Sequence, residues 1–179
     1  MLSAVFMHQG IGLARFNELP TRKAVHALYE CCSCVGMAGD LAACRPYADH
    51  NALFRKADAL LFSLSDESVD DILESYPKVG SRPRSVPSHA EQCALWDDRP
   101  GVMQLLDSSA AGYAAKYGFK FVMYVPADCS VSSVIAAIAD RMHNDAETER
   151  KIVRNEIAKL NRSRLERMLG PEGGYNNWT

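Results

Sequence analysis

The stretch Ser65-Asp66-Glu67-Ser68-Val69-Asp70-Asp71-Ile72-Leu73-Glu74-Ser75-Tyr76-Pro77 sets the pattern for the whole chain. Val69, Ile72, Leu73 and Tyr76 fall at i, i+3, i+4 and i+7, one face of an α-helix, with polar and charged residues between them. Ser65 suits an N-cap, and Pro77 disfavours helical backbone at the residue before it. The spacing predicts a helix that ends on the ring of Tyr76.

The same period recurs on both sides. Upstream, Pro20-Thr21 opens a helix carrying Val25, Leu28, Tyr29 and Cys32, and Leu53, Ala57, Leu60, Leu61 and Leu64 repeat the spacing. Downstream, Pro77, Gly80, Pro83 and Pro87 with Lys78, Arg82 and Arg84 read as an irregular loop, a frequent place for a site. Ser88-His89-Ala90-Glu91 has the form of a capping box that starts another helix. A further helix carries Val102, Leu105, Leu106, Ser109 and Tyr113 and stops near Gly118. Phe119 to Val125 has strand propensity, but one strand makes no sheet, so it reads as a short extended buried connector. Ser130 caps a helix that ends near Arg141, and the charged run from Glu147 to Arg167 forms a long last helix. The expected class is all-α, a single-domain bundle of about 7 to 9 helices. Residues 1–12 and 170–179 are expected to be flexible, with the domain spanning 13–169.

Composition narrows the function. The 179 residues are 47% hydrophobic and 23% charged, with 20 Lys+Arg against 22 Asp+Glu and a net charge of -2. That balance gives no basic surface for phosphate, so no nucleic-acid partner is expected. No apolar run approaches the roughly 18 residues of a membrane helix, and Met1 to Phe6 lacks a basic flank, so a cytoplasmic protein without a membrane partner is expected. Of the six cysteines, Cys31, Cys32 and Cys34 crowd together while the others scatter, which suits reduced thiols. No second Cys/His pair completes a zinc site, and the five histidines are dispersed, so no metal is expected.

Six short pieces occur in a telling order: Phe16-Asn17-Glu18-Leu19-Pro20, Arg45-Pro46-Tyr47, Tyr76-Pro77-Lys78-Val79-Gly80, Glu91-Gln92, Tyr117-Gly118-Phe119-Lys120-Phe121-Val122 and Arg141-Met142-His143-Asn144. With the ending Arg164-Leu165-Glu166-Arg167-Met168-Leu169, the chain resembles the 2-oxo-4-hydroxy-4-carboxy-5-ureidoimidazoline (OHCU) decarboxylases over residues 13–169. The resemblance implies an all-α, commonly homodimeric enzyme of ureide formation from uric acid, with no metal or organic cofactor. It implies a pocket in which the substrate carboxylate leaves as carbon dioxide and the ring carbanion is protonated to (S)-allantoin. Electrostatic stabilisation and a placed proton donor suffice for such a step.

The same resemblance implies catalytic roles for Glu91, Arg141 and the residue at position 76, and substrate contacts for Pro77, Gln92, Phe121, Val122 and Asn144. At position 76 the family's motif has the acid/base His, and here it is Tyr76. A phenol with an ordinary pKa of about 10 can donate a proton or a hydrogen bond, but it is a poor base beside an imidazole near 6.5. His89, two residues before Glu91, is a possible replacement, although residues two apart point to different helix faces. A second departure is Ala110, where the family's Asn-x-x-Tyr places Asn before Tyr113.

Each candidate also has a plainer role. Tyr76 at i+7 is a core position, Glu91 completes a capping box, and Arg141 suits a helix C-terminus or a pair with Asp145. The functional expectation is a cofactor-independent carboxy-lyase acting on a small anionic heterocycle. Glu91 polarises that substrate, Arg141 holds its oxygens with a planar guanidinium, and Tyr76 donates. The alternatives are a family member turned to another heterocycle in a biosynthetic pathway, or a non-catalytic binding protein that keeps the fold.

Overall fold

In the computed structural model of the chain, residues 10–81 and 95–171 are described. They form eight α-helices and no strand, as the periodicity predicts. Contacts divide the chain into one unit of residues up to Ser65 plus Asn161 onward, and a second unit of Asp66–Leu160. No helix among the described residues is long and apolar enough to cross a membrane.

The first unit holds α1 (Leu13–Glu18), α2 (Thr21–Cys32), α3 (Val35–Ala43), α4 (His50–Ser63) and the end of α8 (Ala146–Leu169). Its core is built from Phe16, Leu28, Met37, Leu41, Leu53, Leu61 and Leu169. Helix ends leave carbonyls without intrahelical partners, and here distant groups supply the donors. Arg45 donates from Nη1 to the carbonyls of Phe16 (2.9 Å) and Leu19 (2.6 Å) and from Nε to that of Ala42 (3.0 Å), closing the ends of α1 and α3 together. Asn17 exchanges two hydrogen bonds of 2.9 Å with the backbone of Tyr47. The amides of Gly10, Ile11 and Gly12 donate to the carbonyls of Arg167, Met168 and Leu169 at 3.0, 3.0 and 2.7 Å, which closes the C-terminus of α8. Helix α1 begins at Leu13, and the cysteine cluster stands at the junction of two helices. Cys32 is the last residue of α2, and Cys34 is the N-cap of α3.

The second unit holds α5 (Asp66–Ser75), α6 (Val102–Tyr117), α7 (Val131–Arg141) and α8 as far as Leu160. Val69, Ile72, Leu73 and Tyr76 are all buried, so the face that defined the helix is the face that packs. Gly118 closes α6 in the left-handed conformation, φ 79°, where a side chain would be strained. Ser130 caps α7 by accepting from the Ser133 amide at 3.1 Å. From Phe119 to Val125 the chain is neither helix nor strand, with Phe119, Phe121, Val122 and Val125 buried. The charged run of α8 is not simply a solvated face. Arg150 pairs with Asp70 and Arg154 with Asp66 on α5, and the Arg150 guanidinium lies 4.1 Å from the Phe119 ring centroid.

Candidate functional site

All described parts of the site lie within the second unit, and they assemble around the connector of residues 119–125. Arg141, at the C-terminus of α7, reaches back to it: Nη1 donates to the Val122 carbonyl at 2.7 Å. Its Nε donates to Glu149 Oε1 at 2.7 Å, and Nη2 lies 2.5 Å from the same oxygen and 3.1 Å from the Tyr113 hydroxyl. The guanidinium carbon sits 4.6 Å from the Phe121 ring centroid and 5.4 Å from that of Tyr113. Tyr113 in turn donates to Glu149 Oε1, and Asn144 Nδ2 donates to Glu149 Oε2 at 2.8 Å. The Tyr117 hydroxyl donates to the carbonyls of Arg141 (2.6 Å) and Asn144 (2.9 Å), which fixes the turn between α7 and α8.

Glu149 is wholly buried at 0% exposure, and burial alone would push its carboxyl up. Hydrogen bonds from Arg141, Tyr113 and Asn144, with the guanidinium charge, outweigh that and hold it below the ordinary glutamate value. Burial, with the Glu149 hydrogen bond, pushes the Tyr113 phenol well up against the opposing pull of Arg141. The cluster therefore holds a carboxylate, a guanidinium and a neutral phenol. The Nε and Nη2 edge of Arg141 faces Glu149 and Nη1 faces the Val122 carbonyl, so each guanidinium nitrogen has a partner within the protein.

The turn after α5 is held in place from two directions. Lys120 Nζ donates to the Glu74 carbonyl at 3.0 Å and pairs with its carboxylate at 2.8 Å, so the end of α5 is tied to the connector. Gly80 adopts φ +71° and presses on α6, where a Cβ would stand 2.7 Å from Leu106 Cδ2 and 2.9 Å from Met103 Cε. The left-handed backbone favours glycine, and a Cβ there would displace the Leu106 and Met103 side-chain ends. Between these two anchors Tyr76 is buried at 5% exposure, and Pro77 is exposed.

Beside the connector runs a trough of about 100 Å³, open to solvent. Ala110, Ala111 and Ala114 of α6 form its floor, Val79 and Phe121 its apolar wall, and Lys78, Lys120 and Asp107 bring charge to it. Phe121 is thus shared, lining the trough and lying under the Arg141 guanidinium.

The family model described as OHCU decarboxylase matches residues 17–166. The chain belongs to the OHCU decarboxylase family. It is 26% identical over 176 residues to the uric acid degradation bifunctional protein of Bacillus sp. (strain TB-90), covering 93% of this chain and 34% of that protein, so it spans about a third of that relative's length. It is 26% identical over 133 residues to the 2-oxo-4-hydroxy-4-carboxy-5-ureidoimidazoline decarboxylase of Halalkalicoccus jeotgali (strain DSM 18796 / CECT 7217 / JCM 14584 / KCTC 4019 / B3), covering 73% of this chain and 75% of that one. The fold is that of a solved OHCU decarboxylase in the presence of (S)-allantoin, with a TM-score of 0.67 at 18% identity over 79% of this chain and 95% of that one. A solved (S)-allantoin synthase matches with a TM-score of 0.70 at 16% identity over 88% of this chain and 53% of that one.

Against the family's motifs, the structure brings Phe121, Val122, Arg141 and Asn144 into one cluster, and it places Tyr76 and Pro77 on the turn beside the connector. Glu91, Gln92 and His89, with the capping box proposed there, lie outside the described residues. Arg141 pairs with Glu149 rather than Asp145. Asp145 instead accepts from the Thr148 amide at 2.8 Å. Glu149 and Tyr113 are the members that sequence reading passed over. One signal pointed to the glutamate: it stands four residues before buried Val153 and eight before buried Ile157, on the apolar face of α8.

Proposed function

We propose that the chain is a cofactor-independent carboxy-lyase that removes carbon dioxide from a small anionic ureido-imidazoline, OHCU to (S)-allantoin or a close variant of that reaction. The observation that carries this reading is the Arg141 guanidinium. It is fixed against the Phe121 ring by Glu149, Tyr113 and the Val122 carbonyl, with Nη1 toward the connector. A cation held in this way needs no rearrangement to stabilise negative charge as it develops on a ring that loses a carboxylate. Tyr76 supplies the hydroxyl at the position of the family's histidine. In this reading it donates a proton or a hydrogen bond to the carbanion, and Glu91 polarises the substrate. Family membership and the two decarboxylases of known name support the same chemistry.

A second reading, the same fold turned to another heterocycle, is favoured by Tyr76 together with Ala110 on the trough floor. Carbon dioxide release and optical rotation with freshly generated OHCU, against an enzyme-free control at several pH values, test the first. Accelerated formation of (S)-allantoin is the expected result. An unaccelerated rate at every pH rejects it in favour of the second.

A further inference from the structure

We propose that the trough along α6 takes a small carboxylate carrying an apolar body, and that Ala110 is the specificity residue that makes room for that body. This rests on reading the trough as the substrate site. Its floor consists of methyl groups: Ala110 and Ala114 are half-buried and Ala111 is exposed, so α6 has an indentation where longer side chains would project. From Asp107 to Ala114 the helix rises by about 10 Å, longer than a single five-membered ring. Away from Lys78, Lys120 and Asp107, the surface made by Phe121, Val79 and the three alanines offers a compact polar ring no side-chain donor or acceptor. It gains instead from covering apolar ligand surface.

Charge orients the ligand. Lys120 is already committed to Glu74, through both its carboxylate and its carbonyl. Lys78 has no ion pair among the described residues, and it stands on the turn that Gly80 locks against α6. Asp107, on the same helix as the floor, repels a carboxylate from its end. The favourable placement puts the carboxylate at Lys78 and the apolar body over Ala110.

The test uses the full chain and two probes, acetate and phenylacetate, titrated by calorimetry and by amide NMR shifts. Phenylacetate is expected to bind at least tenfold more tightly than acetate. Ala110→Leu should weaken phenylacetate at least tenfold with the thermal midpoint retained, and Lys78→Met should weaken it several-fold. If Ala110→Leu fails to fold, Ala111→Leu fills the same floor from its exposed side and carries the same expectation. Equal affinity for the two probes, or full affinity in both the leucine and the methionine variants, overturns the proposal. Loss of phenylacetate binding in Ala110→Leu, with no carbon dioxide release from OHCU by the parent chain, rejects the lyase reading and keeps this one. Undiminished OHCU turnover in both Ala110→Leu and Lys78→Met does the reverse.

Discussion

Arg141 and Glu149 form the one pair in which a fully buried carboxylate of this chain, among the described residues, meets a guanidinium: Nε to Oε1 is 2.7 Å, at 0% exposure for the acid. The arginine belongs to a family motif and the glutamate does not stand out in its charged helix. The pair makes any test of Arg141 a test of stability as well. Glu149→Gln should cost about 3 kcal/mol, because it leaves a nearly buried guanidinium without its counter-charge. Replacing both, Arg141→Met with Glu149→Met, should recover part of that loss. Urea midpoints of the three variants decide the matter, and a double variant less stable than either single one would contradict it.

The same carboxyl makes stability depend on pH in a definite direction. Its folded-state pKa lies below the ordinary glutamate value, so the unfolded chain binds the proton more readily. The contribution is complete above that ordinary value, about 4.3, and is lost as pH falls through the lower folded value. Urea midpoints from pH 7 to pH 3 should fall more steeply for the parent than for Glu149→Gln. Parallel curves would remove Glu149 as a source of the acid lability.

Tyr76→His restores the family's residue at a buried position on the turn after α5. If the rest of the pocket serves OHCU, the imidazole should raise decarboxylation at least tenfold near neutral pH, with a rate that follows a pKa near the ordinary histidine value of about 6.5. A variant with unchanged folding and no gain would mean that the pocket is shaped for another substrate.

Arg45 serves four carbonyls, those of Phe16, Asn17, Leu19 and Ala42, at the ends of two helices. Arg45→Ala leaves them without a charged donor and should cost about 2 to 3 kcal/mol. Arg45→Lys should recover little, since one ammonium does not reproduce the spread of a planar fork. Thermal melts of both variants would show this as a drop of similar size.

The cysteines should separate by reactivity. Burial, with the neighbouring Cys32, pushes the Cys31 thiol up to about 12, and burial takes Cys32 to about 11, whereas Cys44 is exposed. Iodoacetamide at pH 8 should label Cys44 rapidly and reach Cys31 and Cys32 only on unfolding. Peptide mass mapping over time reads the order, and early labelling of Cys31 would contradict the packing of α2.

Much of the fold was legible because its signals are local. The face of α5, the glycine that ends α6 and the serine that caps α7 each act within a turn or two of chain. Helices α1 and α3 escaped notice for equally physical reasons. The first spans 6 residues, and the second contains Gly36 and Gly39, poor helix formers held helical by packing. The site was legible only in part, through motifs. Within the run Glu147 to Arg167 only the spacing to Val153 and Ile157 marks Glu149 as buried, and its partners Arg141 and Tyr113 arrive from two other helices. Arg45 is similar, because two of its carbonyl partners lie 26 and 29 residues away.

The three amides that close the end of α8 come from Gly10, Ile11 and Gly12, so the first unit joins the earliest described residues to nearly the last. During synthesis, the segment Asp66–Leu160 is complete before the stretch that receives those amides has been made. The chain's early helices therefore wait, with the first unit unfinished around Phe16 and Leu28, while the second unit can already form. A truncation before Arg167 would leave an unfinished first unit in a protein whose proposed active-site cluster is covalently intact.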